Sequence, residues 1–200
     1  MTWIQIYTGR KFDLLNPSPE DVCIEDIAHA LSMICRFNGH CNKFYSVAEH
    51  SLHVSYRAIR PWKLEGLLHD ATEAYVGDMV KPLKCSEPMK AFREIEHDIR
   101  YAIATKFGLW LSVPPNVKYA DLRMLATERD QLMGPEVEPW FEEEVEPFHF
   151  SIPCYAPRKA EQGFLQRFRE LTEELAKQTW QKEGLTSRSK IGNDREREES

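Results

Sequence analysis

From Trp3 onward apolar and polar residues alternate about Thr8 and Gly9, a period of two that predicts a short β-hairpin, closed by Pro17 and Pro19 within residues 1–22. The period then changes. Ile27, Leu31, Ile34 and Cys35 share one stripe of a helix over Glu25–Arg36, which the polar run FNGHCNK ends. Ser46 followed by Glu49 has the form of a capping box and opens a second helix, with Val47, His50, Ser51, Val54 and Ala58 along one side and Arg60-Pro61 at its end. A third helix is predicted over Trp62–Tyr75, stopped near Gly77. A fourth spans Pro88–Phe107, where Phe92, Ile95, Ile99, Ile103 and Phe107 recur at helical intervals before Gly108, and a fifth spans Pro114–Met133. Residues 134–157 are acidic, proline-punctuated and aperiodic, and read as a surface loop anchored by Trp140, Phe141, Phe148 and Phe150. A final helix, Arg158–Trp180, carries Phe164, Leu165, Phe168, Leu171 and Leu175; the charge-mixed residues 184–200 read as a disordered tail. The pattern predicts an all-α fold, one compact helical bundle over residues 1–183 with a small N-terminal β-hairpin.

Composition narrows the class. Two hundred residues, 42% hydrophobic with ten Phe, seven Tyr and five Trp, can bury one sizeable core. The net charge of −6 has the wrong sign for gripping polymeric DNA or RNA by its phosphates, so no nucleic-acid polymer is expected as partner. No apolar run approaches the roughly 18 residues of a membrane span, and the N-terminus lacks the layout of a signal peptide. A cytoplasmic protein with no membrane partner is expected. Five cysteines without a CxxC pair indicate neither a disulfide framework nor a thiolate zinc site; they are expected to be reduced and mostly buried.

The chemistry concentrates in LLHDATEAYVGD, residues 67–78. On a continuous helix Leu64, Leu67, Leu68, Ala71 and Tyr75 face one way, whereas Gly66, His69, Glu73 and Gly77 line the opposite face with Asp70 at its border. That face holds no Lys or Arg, and its glycines resemble a floor that something approaches closely. An imidazole and a carboxylate buried together need a partner, and a divalent cation suits both. Chance acids beside a surface histidine also fit this face taken alone. A second His-Asp pair, His97-Asp98, sits among Arg93, Glu94 and Glu96 and reads as solvated.

Two adjacent residues cannot complete a coordination sphere, so further ligands must come from other inward faces. His50, between Val47 and Val54, is one candidate, although a satisfied core histidine has the same spacing; His53 leans toward Glu49 and Arg57 on the wetter side. Asp121, between Val117 and Met124, projects a carboxylate into an apolar stripe and demands a partner. Glu128 and Asp130, beside Arg129 and Gln131, read as solvated; His29 reads as structural or exposed, and His40 as a substrate contact or an exposed loop residue.

The order His50, His69-Asp70, Asp121 on successive helices resembles the HD-domain metal phosphohydrolases, most closely the branch of bacterial 5′-deoxynucleotidases and small phage dATP triphosphohydrolases. SVAEHS (46–51) and HDATEAYVGD (69–78) carry the likeness, which runs from about Arg36 to Asp121. The resemblance implies a divalent metal ion (cobalt, manganese, zinc or magnesium) held by His50, His69, Asp70 and Asp121, with catalytic carboxylates at Glu73 and Asp78. It also implies substrate contacts from Arg36 and Phe37, which stand just ahead of the first ligand helix. Lys81 and Lys84 could add positive charge at the phosphate or serve only solubility. The expected activity is hydrolysis of a small (deoxy)nucleotide: a 5′-deoxynucleotidase releasing phosphate from dNMPs, or a dNTP triphosphohydrolase releasing tripolyphosphate. A catalytically silent nucleotide-binding module is the alternative outside enzymes, and relatives in that branch make a homo-oligomer the expected assembly.

Overall fold

The computed structural model describes residues 1–198, with the side chains of residues 1–177. Strands β1 (Trp3–Gln5) and β2 (Lys11–Asp13) form the expected antiparallel hairpin, with Ile4 opposite Phe12. Gly9, at φ +82°, supplies the turn conformation that other residues adopt only with strain. Phe12 is fully buried and stacks on Tyr75, ring centroids 3.9 Å apart, so the hairpin is bolted to the bundle. The rest is helical: α1 (Ile24–Met33), α2 (Val47–Arg57), α3 (Lys63–Leu68), α4 (Glu73–Val76), α5 (Lys81–Lys84), α6 (Lys90–Phe107), α7 (Pro115–Leu132) and α8 (Pro157–Glu198). Short 3₁₀ turns occupy Arg36–Gly39 and Glu87–Met89.

Helix α2 is the axis of the molecule, packed by α1, α3, α7 and α8, and every residue from Val47 to Ser55 is buried. Its start follows the sequence rule only in part. Ser46 Oγ accepts from the Glu49 amide at 3.1 Å, but the Glu49 carboxylate accepts from the Tyr155 amide at 2.6 Å rather than turning back to the cap. The main core joins Phe12, Ile27, Leu31, Leu67, Leu68, Ile103 and Phe164. Each of these large apolar side chains contributes about 1.5–3 kcal/mol on burial. A smaller core between α2 and α7 gathers Val54, Ala58, Val117 and Met124 against Phe148 and Phe150.

The third predicted helix is in fact two. Residues 69–72 form turns between α3 and α4, with amides of Ala71 and Glu73 bonded to carbonyls three residues back, Leu68 at 3.2 Å and Asp70 at 3.0 Å. The cause lies on α6, where the buried Arg100 donates to the Leu68 carbonyl at 2.9 Å and to the Trp110 carbonyl at 3.0 Å. Gly66 also differs from the expectation of a floor for a ligand. A Cβ there would lie 3.2 Å from both Ser55 Cα and Ala58 Cβ, so what approaches it is helix α2.

The segment 134–157 is irregular and held by its aromatics, as expected: Phe150 lies under Arg57 at 3.8 Å, Phe148 under Arg123 at 4.2 Å and Phe141 under Arg129 at 5.3 Å. The cysteines are all free, but none is buried; Cys35 and Cys41 flank the first 3₁₀ turn with their Sγ atoms 3.5 Å apart, at the rim where the chain leaves the core. The helix predicted to end at Trp180 runs on in α8, and the expected tail over 184–200 lies outside the residues whose side chains are described. No described helix is long and apolar enough to cross a membrane.

Candidate metal centre

Three elements converge behind α2. His50 projects from the middle of α2, His69 and Asp70 from the turn after α3, and Asp121 from the second turn of α7. Their donor atoms meet: His50 Nε2 lies 3.0 Å from Asp121 Oδ1, 3.3 Å from His69 Nε2 and 3.7 Å from Asp70 Oδ2. His69 Nε2 is 3.2 Å from Asp70 Oδ2 and 3.7 Å from Asp121 Oδ1. The two imidazoles are buried, whereas the Asp70 and Asp121 side chains are 22% and 41% exposed, so the cluster opens to solvent on its carboxylate side.

The hydrogen bonds on the far ring nitrogens test whether a cation fits. His69 Nδ1 lies 2.9 Å from the Gly66 carbonyl and His50 Nδ1 lies 2.6 Å from a Glu128 carboxylate oxygen; both oxygens can only accept. Each Nδ1 therefore carries the hydrogen. Both Nε2 atoms then turn toward the same point, where two lone pairs 3.3 Å apart need a positive charge between them. His50, His69 and Asp121 lie close enough to share one divalent ion, with Asp70 Oδ2 beside them, and imidazole and carboxylate donors suit zinc, manganese or cobalt.

Among the protein groups alone, burial works against charge on either imidazole, yet both pKa values are raised. The Asp70 carboxylate dominates at His69, which moves well above its ordinary range, and Glu128 and Asp121 raise His50 against the opposing Arg36 charge. The carboxylates move the other way. Burial alone would raise Asp70 and Asp121, but the histidines beside them hold both below the usual carboxylate range.

Glu73 opens α4 one turn beyond His69. It is buried, its Oε2 has no hydrogen-bond partner, and burial followed by the charges of Asp70 and Asp78 pushes its pKa well above that of an ordinary glutamate. Asp78, half-buried just past Gly77, is raised by burial too. Arg36 stands in the 3₁₀ turn, fixed through its amide to the Tyr45 carbonyl at 2.9 Å. Its guanidinium reaches Glu128 at 3.2 Å and Asp70 at 3.5 Å. Phe37 follows with left-handed backbone, φ +55°, and touches Trp140 of the acidic segment, ring centroids 5.9 Å apart. Lys84 is bound to Glu96 at 2.6 Å, and Lys81 is exposed.

Several expectations are corrected. Glu128 is fully buried at the centre and not solvated, while Asp130 is exposed as expected. The signal for Glu128 was present: it follows Asp121 by two helical turns, on the same face, and the His50 ring bridges the two carboxylates. Tyr45, which donates to Glu128 at 2.8 Å, carried no such signal. His53 is not on a wet face but buried against Phe150, with ring centroids 4.9 Å apart. His97 and His40 are exposed, and His29 stacks on Tyr7 at 3.7 Å.

No protein-family model matches the chain. It is similar to the uncharacterized protein YfdR of Escherichia coli K12, 39% identical over 175 residues that make up 86% of this chain and 97% of the relative. It is also similar to an uncharacterized protein of Rhodobacter capsulatus, 38% identical over 145 residues, 66% of this chain and 74% of that relative.

Proposed function

The chain belongs to the family of the Escherichia coli protein YfdR, and we propose that it is a metal-dependent phosphohydrolase of the HD-domain class, acting as a 5′-deoxynucleotidase that releases phosphate from dNMPs. The observation that carries this reading is the meeting of two imidazole Nε2 atoms and two carboxylates, with the buried Glu73, whose Oε2 has no hydrogen-bond partner, one turn away. His50, His69, Asp70 and Asp121 would hold the ion. A divalent ion so held supplies polarisation of a phosphoryl oxygen and a water of lowered pKa.

The protein's own groups account for the rest of the reaction. Glu73 has an acceptor oxygen free of protein partners and a raised affinity for protons, the properties of a group that orients the attacking water and takes its hydrogen. Asp78, also raised, is available to return a proton to the leaving oxygen of the sugar. Arg36 presents planar N–H donors to a phosphate, and Phe37 offers an apolar surface beside it for the nucleoside.

A single phosphate is favoured over three because the two cations held inside the fold beside the centre are already compensated, Arg36 by Glu128 and Asp70 and Lys84 by Glu96, which leaves the exposed Lys81. Little uncancelled positive charge remains for a tripolyphosphate. The test is a panel of dNMPs and dNTPs offered to protein reloaded with cobalt, manganese, zinc or magnesium, with the products separated by chromatography. Orthophosphate from dNMPs is the expected product. Tripolyphosphate from dATP would replace the monophosphatase by its triphosphohydrolase alternative, and tight binding without turnover would leave a silent nucleotide-binding module.

A further inference from the structure

We propose that Glu128 is a positioning residue that sets the cation side and the phosphate side of this centre with one carboxylate; the proposal rests on the phosphohydrolase reading above. Glu128 is entirely buried, two turns after Asp121 on α7. Its Oε1 accepts from Tyr45 Oη at 2.8 Å and from His50 Nδ1 at 2.6 Å, and its Oε2 accepts from Arg36 Nε at 3.2 Å. Three donors from three segments thus share one acceptor group.

Two consequences follow from that sharing. Because a carboxylate offers only acceptors, His50 must keep its hydrogen on Nδ1, which leaves the Nε2 lone pair directed at Asp121, Asp70 and His69. Because Nε of Arg36 is held, the guanidinium plane is fixed, and Nη1 lies against Asp70 at 3.5 Å with further N–H groups left for an anion. The same side chain therefore orients a metal ligand and a phosphate donor while itself contacting neither the cation nor the substrate.

Glu128→Gln keeps the shape and replaces one acceptor oxygen by an amide N–H₂. Its one remaining oxygen cannot serve both sides as the carboxylate does: an N–H₂ turned to His50 Nδ1 selects the imidazole form with hydrogen on Nε2, which cannot bind a cation, and one turned to Arg36 Nε leaves the guanidinium unheld. Glu128→Gln should therefore either bind cobalt(II) roughly 10- to 100-fold more weakly in titration or, at saturating cobalt, raise the KM for a dNMP more than it lowers kcat. Tyr45→Phe, which removes the third donor and keeps the carboxylate, should bind cobalt nearly as the unaltered chain does. Equal cobalt affinity together with an unchanged KM in Glu128→Gln, or an equal loss in Tyr45→Phe, would overturn the proposal. Should Glu128→Gln fail to fold, nitrogen-15 NMR of the unaltered, zinc-loaded chain decides: coordination through His50 Nε2 with a hydrogen-bonded Nδ1–H is expected, and coordination through Nδ1 would overturn it. An unaltered chain that binds no divalent ion would instead remove the underlying metal reading.

Discussion

An imidazole buried in the middle of a helix bundle must satisfy both ring nitrogens, and His50 does so with a carboxylate on each side, Glu128 at Nδ1 and Asp121 at Nε2. That arrangement makes cation binding a competition with protons. The raised pKa values of His50 and His69 strengthen the hold of both rings on protons, so a divalent ion competes with protons for them. Apparent cobalt affinity should accordingly climb as pH rises through the raised values and level off above them. Calorimetric titration measures this directly, and an affinity independent of pH would contradict the protonation order described. The carboxylates separate by role. Asp70→Ala should abolish cation binding and turnover together, whereas Glu73→Ala should retain the cation and lose about 10²- to 10⁴-fold in rate; full activity in Glu73→Ala would remove it from catalysis.

Helices α2, α3 and α7 act as rulers for the centre, and their spacing is adjustable at identifiable contacts. At Gly66 the backbone of α3 meets that of α2, so Gly66→Ala must separate the helices that carry His50 and His69. A cost of roughly 1–3 kcal/mol is expected from overpacking, read by urea unfolding, with weakened cobalt binding in the same variant. Arg100 sets the other dimension. Its guanidinium takes the carbonyls of Leu68 and Trp110 and lies 3.4 Å from the buried Glu65, so it ends α3 just where His69 and Asp70 must turn inward. Arg100→Met leaves these acceptors buried without their donor and should destabilise by about 3–5 kcal/mol.

At the scale of the molecule the centre draws residues from four separated stretches of chain: the first 3₁₀ turn, α2, the turn after α3, and α7. A cation bound there ties α2, the turn after α3 and α7 together only in the folded state. At a free concentration about 100 times its Kd it should add ~2.7 kcal/mol to stability, which for a chain of this size raises Tm by roughly 5–10 °C. Differential scanning calorimetry with cobalt and with a chelator tests this; an unchanged Tm would mean that the ion does not bridge the helices. The acidic segment belongs to the same assembly. It reaches α2 through Tyr155 and Glu49 and α7 through Phe148 and Thr127, and it sets Trp140 against Phe37 at the mouth of the centre.

The sequence by itself determined the helical class, the hairpin and the limits of α6 and α7 within about two residues, and it marked His50, His69, Asp70 and Asp121 as candidates for a shared site. Apolar periodicity, the Ser46 cap and buried polar residues on inward faces are local consequences of burial, and they can be read within one or two turns of chain. The tertiary structure alone decided that the helix expected over Trp62–Tyr75 breaks at His69, because the group that ends it, Arg100, is 32 residues from Leu68 in sequence. The seven-residue spacing puts Glu128 on the face of Asp121, but only the tertiary structure decided that it is buried there. A carboxylate flanked by Arg129 and Asp130 looks solvated until Arg36, Tyr45 and His50 arrive from another part of the chain to supply three donors. Charged groups enter a core only with partners, and partners far away in sequence are fixed by packing rather than by local pattern.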